Sequence, residues 1–354
     1  MIRLICFVLP LIVYFCAEQI YGGAIALCVG FGATVLVNIV RFLTGGRFDV
    51  KEVLTDFGFL LVFGVADIIV AHVNHDVAPL VTALIFTLIL TAIPIIGVKR
   101  VMGGMFDSVR PGFSDNAYLM SLMKQSLQRM ALWSALASLL YFIALLQPNT
   151  NASLWINDYS IYVVIVAYLA SEIILSRIRK NRYKNVEWVP LIKQDGKVVG
   201  GAPRPLVHNG SHWLHPVVHL HVLSHDHKRL LLQLRPQSKK IQPGRWDTAV
   251  GGHITLGENL PDALRRETTE EIGITNFNAK LTNRYVWHSD AEDEYVFVFQ
   301  TQSDGPFNPT NIGEVDELRF WSAHDLSNAI GKGLLTPNLE HELQHGLLNQ
   351  LTNN

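Results

Sequence analysis

Long apolar runs separated by short polar gaps fill the first half of the chain, and from Glu187 onward the pattern changes to short strands and amphipathic helices between turns. Six apolar stretches can be drawn: Leu4 to Cys16, Gly22 to Phe42, Phe57 to His72, Pro79 to Val98, Ala131 to Leu146 and Ile161 to Leu175. A helix of about 20 residues crosses a hydrocarbon layer, and tilt or packing permits fewer. Six such runs within 175 residues leave too little polar surface for a soluble bundle. The pattern therefore predicts an all-α polytopic membrane bundle of about six helices over residues 1–180. The first run is short, but no small-residue cleavage site stands before the next one, so it reads as a membrane helix and not a signal peptide. Tyr118 to Met130 is amphipathic and is expected to lie along the membrane surface.

The second half, residues 187–354, reads as a separate α/β domain. VPLIKQDGKVVG predicts two strands around an Asp195-Gly196 hairpin turn. Further strands are expected at Val217 to Leu223, Arg229 to Leu234, Tyr295 to Gln300 and Leu318 to Trp321, with a closing helix from Glu340 to Leu351. A helix from Leu260 to Ile272 is well delimited, because Pro261 suits a first turn and Gly273 a helix stop. On it Glu267, Glu270 and Glu271 sit at i, i+3 and i+4 and share one face, with Leu260, Leu264 and Ile272 expected as the opposite, buried stripe.

Composition sharpens this division. A hydrophobic fraction of 49% and a mean hydropathy of +0.24 are too high for an ordinary soluble enzyme. The net charge of −1 gives no reason to expect a nucleic acid polymer as partner. Cys6, Cys16 and Cys28 all fall in apolar runs, so neither a disulfide framework nor a cysteine metal site is expected. Basic residues follow the second run (Arg47, Lys51), the fourth (Lys99, Arg100, Arg110, Lys124, Arg129) and the sixth (Arg177 to Lys184), while the alternate connections carry none. By the positive-inside tendency, both termini and the second domain are cytoplasmic, and the basic connector SRIRKNRYKN faces anionic lipid headgroups of the bilayer. Asp67 falls inside an apolar run, where an unpaired charge costs about 2.5–3.5 kcal/mol, and Glu172 lies nearer a cytoplasmic end; such residues call for a partner or mark a path.

Three carboxylates crowded on one helical face repel unless a hard, oxygen-seeking cation such as Mg²⁺ or Mn²⁺ sits among them, and that ion can also bridge to phosphate oxygens. The surrounding string is GHITLGENLPDALRRETTEEIGI: Gly252, five residues, Glu258, seven residues, Arg266-Glu267, two residues, Glu270-Glu271, one residue, Gly273. It resembles the Nudix box at every fixed position; only Thr268 stands where an aliphatic residue is more usual. The resemblance implies an α/β/α sandwich with a mixed sheet, and a hydrolase of diphosphates linked to another moiety. It further implies that Glu270 and Glu271 bind metal and that Glu267 binds metal or orients the attacking water. Arg266 would tie down Glu258, and the Gly252 carbonyl would complete the coordination.

Upstream, LLLQLRPQSKKIQPGRWDTAVGGH resembles the Nudix branch that includes the isopentenyl-diphosphate isomerases. That resemblance implies a second divalent metal, Mn²⁺, Zn²⁺ or Fe²⁺, on His208, His215, His253, Glu292 and Glu294, and a diphosphate grip by Arg235 and Lys239. Two departures separate this chain from the isomerases. Gly251 occupies their cysteine position, and Asn338, after Thr336-Pro337, occupies that of the tryptophan offered to the carbocation. Glu267 and Glu270 restore box carboxylates that isomerases tend to lose, so hydrolysis is favoured over isomerisation.

The N-terminal half, with its LPLIVYF, FLLVFG and IFTLIL runs, resembles the intracellular septation protein A family. This implies a bacterial inner membrane and division or envelope proteins as partners. The combined expectation is a membrane-anchored hydrolase of a small-molecule diphosphate, nucleotide or prenyl/lipid-linked. The alternatives are an isopentenyl-diphosphate-type isomerase and a membrane scaffold with a ligand-sensing domain.

Overall fold

In a computed structural model, the chain divides into two compact units, Met1–Arg182 and Tyr183–Asn354. The structure describes residues 9–10, 13–14, 16–18, 20–43, 57, 60–61, 64–65, 68, 77–109, 111–239, 241–310 and 313–352. Asp67, Cys6, Arg47, Lys51, Arg110 and most of the first and third apolar runs lie outside the described residues.

The first unit is helical. Its well-defined elements are α1 (Gly23–Leu43), α2 (Ala78–Ile96), α3 (Val98–Val109), α4 (Ala117–Leu146) and α5 (Asn151–Arg182). α1, α2, α4 and α5 are each long and apolar enough to cross a membrane. Pro79 opens α2, and Gly97 at φ 114° breaks it from α3. Asn116 caps α4 by accepting from the Leu119 N–H at 3.1 Å. Two expectations change here. Tyr118 to Met130 is the first half of the uninterrupted α4 and not a separate surface segment, because nothing between it and Ala131 breaks the helix. The sixth apolar run starts ten residues early, at Asn151, since INDYS carries no proline or glycine to delay the helix.

Small residues let these helices approach closely: Ala83, Ala137, Tyr141 and Val164 form one buried cluster across α2, α4 and α5. Polar groups pair across the same seams. Thr87 Oγ1 donates to Ser134 Oγ at 2.8 Å, and Arg129 Nε donates to Glu172 Oε1 at 2.6 Å. Glu172 thus has its cationic partner one helix away. Large apolar side chains instead point outward, Leu88 at 69%, Ile95 at 79% and Leu132 at 71% exposure. An aqueous surface does not favour such a face.

The second unit opens with the hairpin β1 (Trp188–Ile192) and β2 (Val198–Pro203), followed by the short α6 (Arg204–Val207). Its main sheet is built from β3 (His215–Leu223), β4 (Arg229–Leu234), β5 (Trp246–Thr248), β6 (Val250–His253), β7 (Lys280–His288), β8 (Asp293–Gln302) and β9 (Glu317–Ser322). The order is β5-β4-β3-β8-β7, with β6 on β3 and β9 on β4; β3 and β8 run parallel and the other pairs antiparallel. The sheet is therefore mixed.

Alternation along the strands gives two cores. Val218, Leu220, Val222 and Leu231 pack under α7 (Leu260–Ile272) with Ala263, Leu264 and Ile272. Leu223, Leu230 and Leu232 face the other way, against Leu326 of α8 (Ala323–Ala329), Leu339 of α9 (Pro337–Glu342) and Leu343, Leu347 and Leu351 beyond it. The expected closing helix starts at Pro337 and is interrupted at His345 and Gly346, before α10 (Leu348–Thr352), because Gly346 adopts φ 119°.

β3 governs where a site can form. β4 pairs with its far end, at Val222 and Leu223, while β6 pairs with Val217 to Leu220. Both lie on the same side of β3, so β4 and β6 diverge there.

Candidate active site and metal-binding cluster

α7 is set up by local chemistry. Asn259 caps it by accepting from the Asp262 N–H at 3.0 Å, and Gly273, at φ 75°, ends it with its N–H on the Thr268 and Thr269 carbonyls at 3.1 Å. Glu267 and Glu271 are buried beside Ala263, Leu264, Thr268 and Ile272, so the carboxylates adjoin the apolar stripe and do not lie opposite it. The cause is the splayed sheet beneath: Glu271 spans the divergence, its Oε2 accepting from the Gly251 N–H of β6 and from Gln233 Nε2 of β4, each at 2.9 Å. Burial pushes the Glu271 carboxyl up to about 8, with the neighbouring Glu267 adding to the rise.

Glu267 is raised as well, first by burial, and lies against Gly252 so closely that any Cβ on that residue would collide with its carboxyl. Arg266 locks the surrounding acids. Its Nε and one terminal nitrogen donate to the two oxygens of Glu258, both at 2.9 Å, and the other terminal nitrogen donates to Glu267 Oε1 at 2.8 Å and lies 3.6 Å from Glu270 Oε2. The nitrogen bound to Glu258 also donates to the His253 carbonyl at 2.9 Å. The Arg266 hydrogen bonds hold the Glu258 carboxyl below the usual range. Glu270 is the most exposed of the three helix carboxylates.

His208, His215, His253 and Glu292 bring one ligand atom each within 4.8 Å of one another. His208 Nδ1 and Glu292 Oε2 are in close approach, and His215 Nε2 lies 3.7 Å from the same oxygen. His215 Nδ1 donates to the Trp213 carbonyl at 2.9 Å, which leaves Nε2 as its lone-pair nitrogen. His215 Nε2 and both ring nitrogens of His253 are buried with no hydrogen-bond partner among the described residues. Burial lowers His215 and depresses His253 further, favouring the neutral rings that ligate metals. Unsatisfied imidazoles around a carboxylate oxygen fit a divalent transition ion.

Glu294 stands outside this group: its Oε2 accepts from Asn338 Nδ2 at 3.1 Å, and burial with the Glu292 charge pushes it up to about 7. Arg235 is held by Asp247 at 3.0 Å and by the Ile241 carbonyl at 3.2 Å, and Lys239 pairs with Glu314 at 2.8 Å.

Other residues escape a sequence reading. Gln233 and Gly251 hold Glu271, and a second buried cluster joins His219, His221 and Tyr285 to Glu342. The H-x-x-x-H-x-H spacing of His215, His219 and His221 puts all three on one face of β3 and was the available signal. Nothing local points to Glu342, which lies 123 positions beyond His219. A cleft of about 940 Å³ lies at the opposite end of β3 and β8, beside Leu223, His225 and Gln302.

Comparison with known proteins agrees with the box. The NUDIX domain model matches residues 213–339. An uncharacterized Nudix hydrolase of Yersinia pestis is 28% identical over 141 residues, 39% of this chain and 76% of that protein. An isopentenyl-diphosphate Delta-isomerase of Clavibacter sepedonicus is 32% identical over 153 residues, 42% of this chain and 80% of its own length. The chain spans about half the length of several further curated relatives. A solved structure from Deinococcus radiodurans aligns with 45% of this chain and 98% of its own at 20% identity, with a TM-score of 0.38.

Proposed function

This chain belongs to the Nudix family, and from that premise we propose that its C-terminal unit hydrolyses the diphosphate bond of a small cytoplasmic compound, with Mg²⁺ or Mn²⁺, while its apolar helices anchor it in a bacterial inner membrane. The observation that carries the reading is the acidic face of α7, where Glu271 is buried and twice hydrogen-bonded across the splayed strands, and Glu267 is packed against Gly252.

The donor set fits the ion. Burial raises the Glu267 and Glu271 carboxyls, and an adjacent dication opposes that rise by favouring their charged forms. A divalent ion bound there would supply charge neutralisation for the phosphoryl oxygens under attack. The chain's own residues do the remaining work. Gln233 and the Gly251 amide fix the Glu271 carboxylate; Arg266 and Glu258 fix the α7 entry loop; in this reading Glu267 accepts a proton from the attacking water. A base so positioned is worth roughly 10²–10⁴ in rate. Arg235 and Lys239 serve the substrate phosphates by exchanging Asp247 and Glu314 for phosphate oxygens. The histidine cluster with Glu292 would hold a second ion, Mn²⁺ or Zn²⁺.

Hydrolysis is preferred to isomerisation because Gly251 and Asn338 provide neither a thiol acid nor an aromatic face for a cation. The test is product analysis by ³¹P NMR after incubating the full chain and Mg²⁺ with nucleoside and prenyl diphosphates. Hydrolysis predicts released phosphate or pyrophosphate. A rearranged prenyl diphosphate with no phosphate release contradicts it, and metal-dependent binding without turnover across the panel favours a ligand-sensing scaffold.

A further inference from the structure

Glu342, in α9, gathers more donors than its packing requires. Its Oε1 accepts from His219 Nδ1 and from the Tyr285 hydroxyl, each at 2.7 Å, and its Oε2 lies 2.7 Å from His221 Nε2. Oε1 thus carries both hydrogen bonds, while Oε2 and His221 Nε2 stand close without hydrogen-bond geometry, and the donors with unused chemistry in the cluster are the imidazoles. His221 is walled in, with Nδ1 at 3.2 Å from Thr248 Oγ1 and a side chain 3% exposed, against 9% for His219. Of the two imidazoles, His219 is the less enclosed.

Its remaining edge faces Gly251, its cross-strand partner on β6. A Cβ on residue 251 would stand 3.9 Å from His219 Nε2 and 3.7 Å from Cδ2, so glycine leaves that edge open where any other residue would cover it. The same Gly251 gives its N–H to Glu271. One backbone residue therefore separates the histidine edge from the acidic helix. Because Nδ1 faces a carboxylate it carries a proton, and a second proton on Nε2 makes the ring a cation that burial opposes but that Glu342, Asp247 and Glu294 together favour more strongly.

We infer that His219, oriented by Glu342, is a further substrate-contacting residue, donating its Nε2–H past the open side of Gly251 to an oxygen of the substrate diphosphate. Tyr285 and His221 are positioning residues that hold Glu342. The inference rests on the hydrolase reading above and assigns the group that meets the anion from the sheet face opposite α7. A cationic donor to a phosphate oxygen is among the stronger hydrogen bonds available to the site.

The experiment is calorimetric titration of inorganic pyrophosphate, with Mn²⁺ present, into the purified full chain as wild type, His219→Gln and Gly251→Ala, with thermal midpoints measured alongside. His219→Gln should weaken pyrophosphate affinity about tenfold or more. Gly251→Ala meets only ordinary van der Waals neighbours, keeps His219 and Glu342 in place, and should weaken it several-fold by covering Nε2; it carries the test if His219→Gln does not fold. A purely structural clamp lowers the melting midpoint of His219→Gln and leaves the affinity of the folded protein unchanged. Affinities within twofold of wild type in the folded variants overturn the inference and leave the hydrolase reading intact, whereas a wild type that binds no pyrophosphate with Mn²⁺ overturns both.

Discussion

His219 shows how a single buried contact sets a measurable property. Burial alone would depress its imidazole, but the Glu342 charge and hydrogen bond outweigh this and carry it from 6.5 up to about 9. A raised folded-state value stabilises fully below about pH 6.5 and is lost as the pH rises through about 9. The melting-point difference between wild type and His219→Gln should therefore be largest at or just below about pH 6.5 and shrink as the pH rises toward about 9; a difference that stays constant to about pH 10 contradicts the pairing. The acidic residues of α7 were legible in the sequence because their spacing and their neighbours Arg266 and Glu258 are local. The His219–Glu342 contact was not, since it depends on β3 and α9 meeting 123 positions apart. The burial of Glu267 and Glu271 was also hidden, because only the divergence of β4 and β6 gives Glu271 partners inside the sheet and only the fold brings Gly252 against Glu267.

Among elements, α7 is delimited as its sequence indicates, and Gly273 is the residue that stops it. Besides its left-handed φ of 75°, a Cβ there would run into the Asn308 backbone, which itself donates to the Ile272 carbonyl at 3.0 Å. Gly273→Ala should cost at least about 1 kcal/mol from the backbone conformation alone, visible as a lower melting midpoint of the second unit; an unchanged midpoint argues against this cap geometry. β6 was not anticipated because two of the four residues of VGGH are glycines, which give no strand signal, yet those glycines serve close approach: Gly252 admits Glu267 and Gly251 admits His219. β7 escaped for a different reason. It pairs only with β8, and most of its first half is exposed, so KLTNRYVWH lacks the alternation of a half-buried strand. In the first unit, the apolar runs located α1, α2, α4 and α5, but the boundaries shifted where no proline or glycine marked them.

For the whole molecule, two chemistries are joined in one chain: apolar helices with outward leucines and isoleucines, and a polar sheet domain carrying clustered acids and imidazoles. The Arg129–Glu172 pair accounts for one charged residue among those helices by giving it a bidentate partner. If the helices anchor the domain, the expressed chain should stay in the membrane pellet through alkaline carbonate washing; release into the supernatant contradicts anchoring. If carboxylates on one face of α7 gather a divalent ion for diphosphate cleavage, phosphate release from the full chain must depend on both the metal and Glu271. Turnover should require added Mg²⁺ or Mn²⁺, and Glu271→Gln should lose at least about a hundredfold of it. A folded Glu271→Gln chain with wild-type turnover would contradict that dependence.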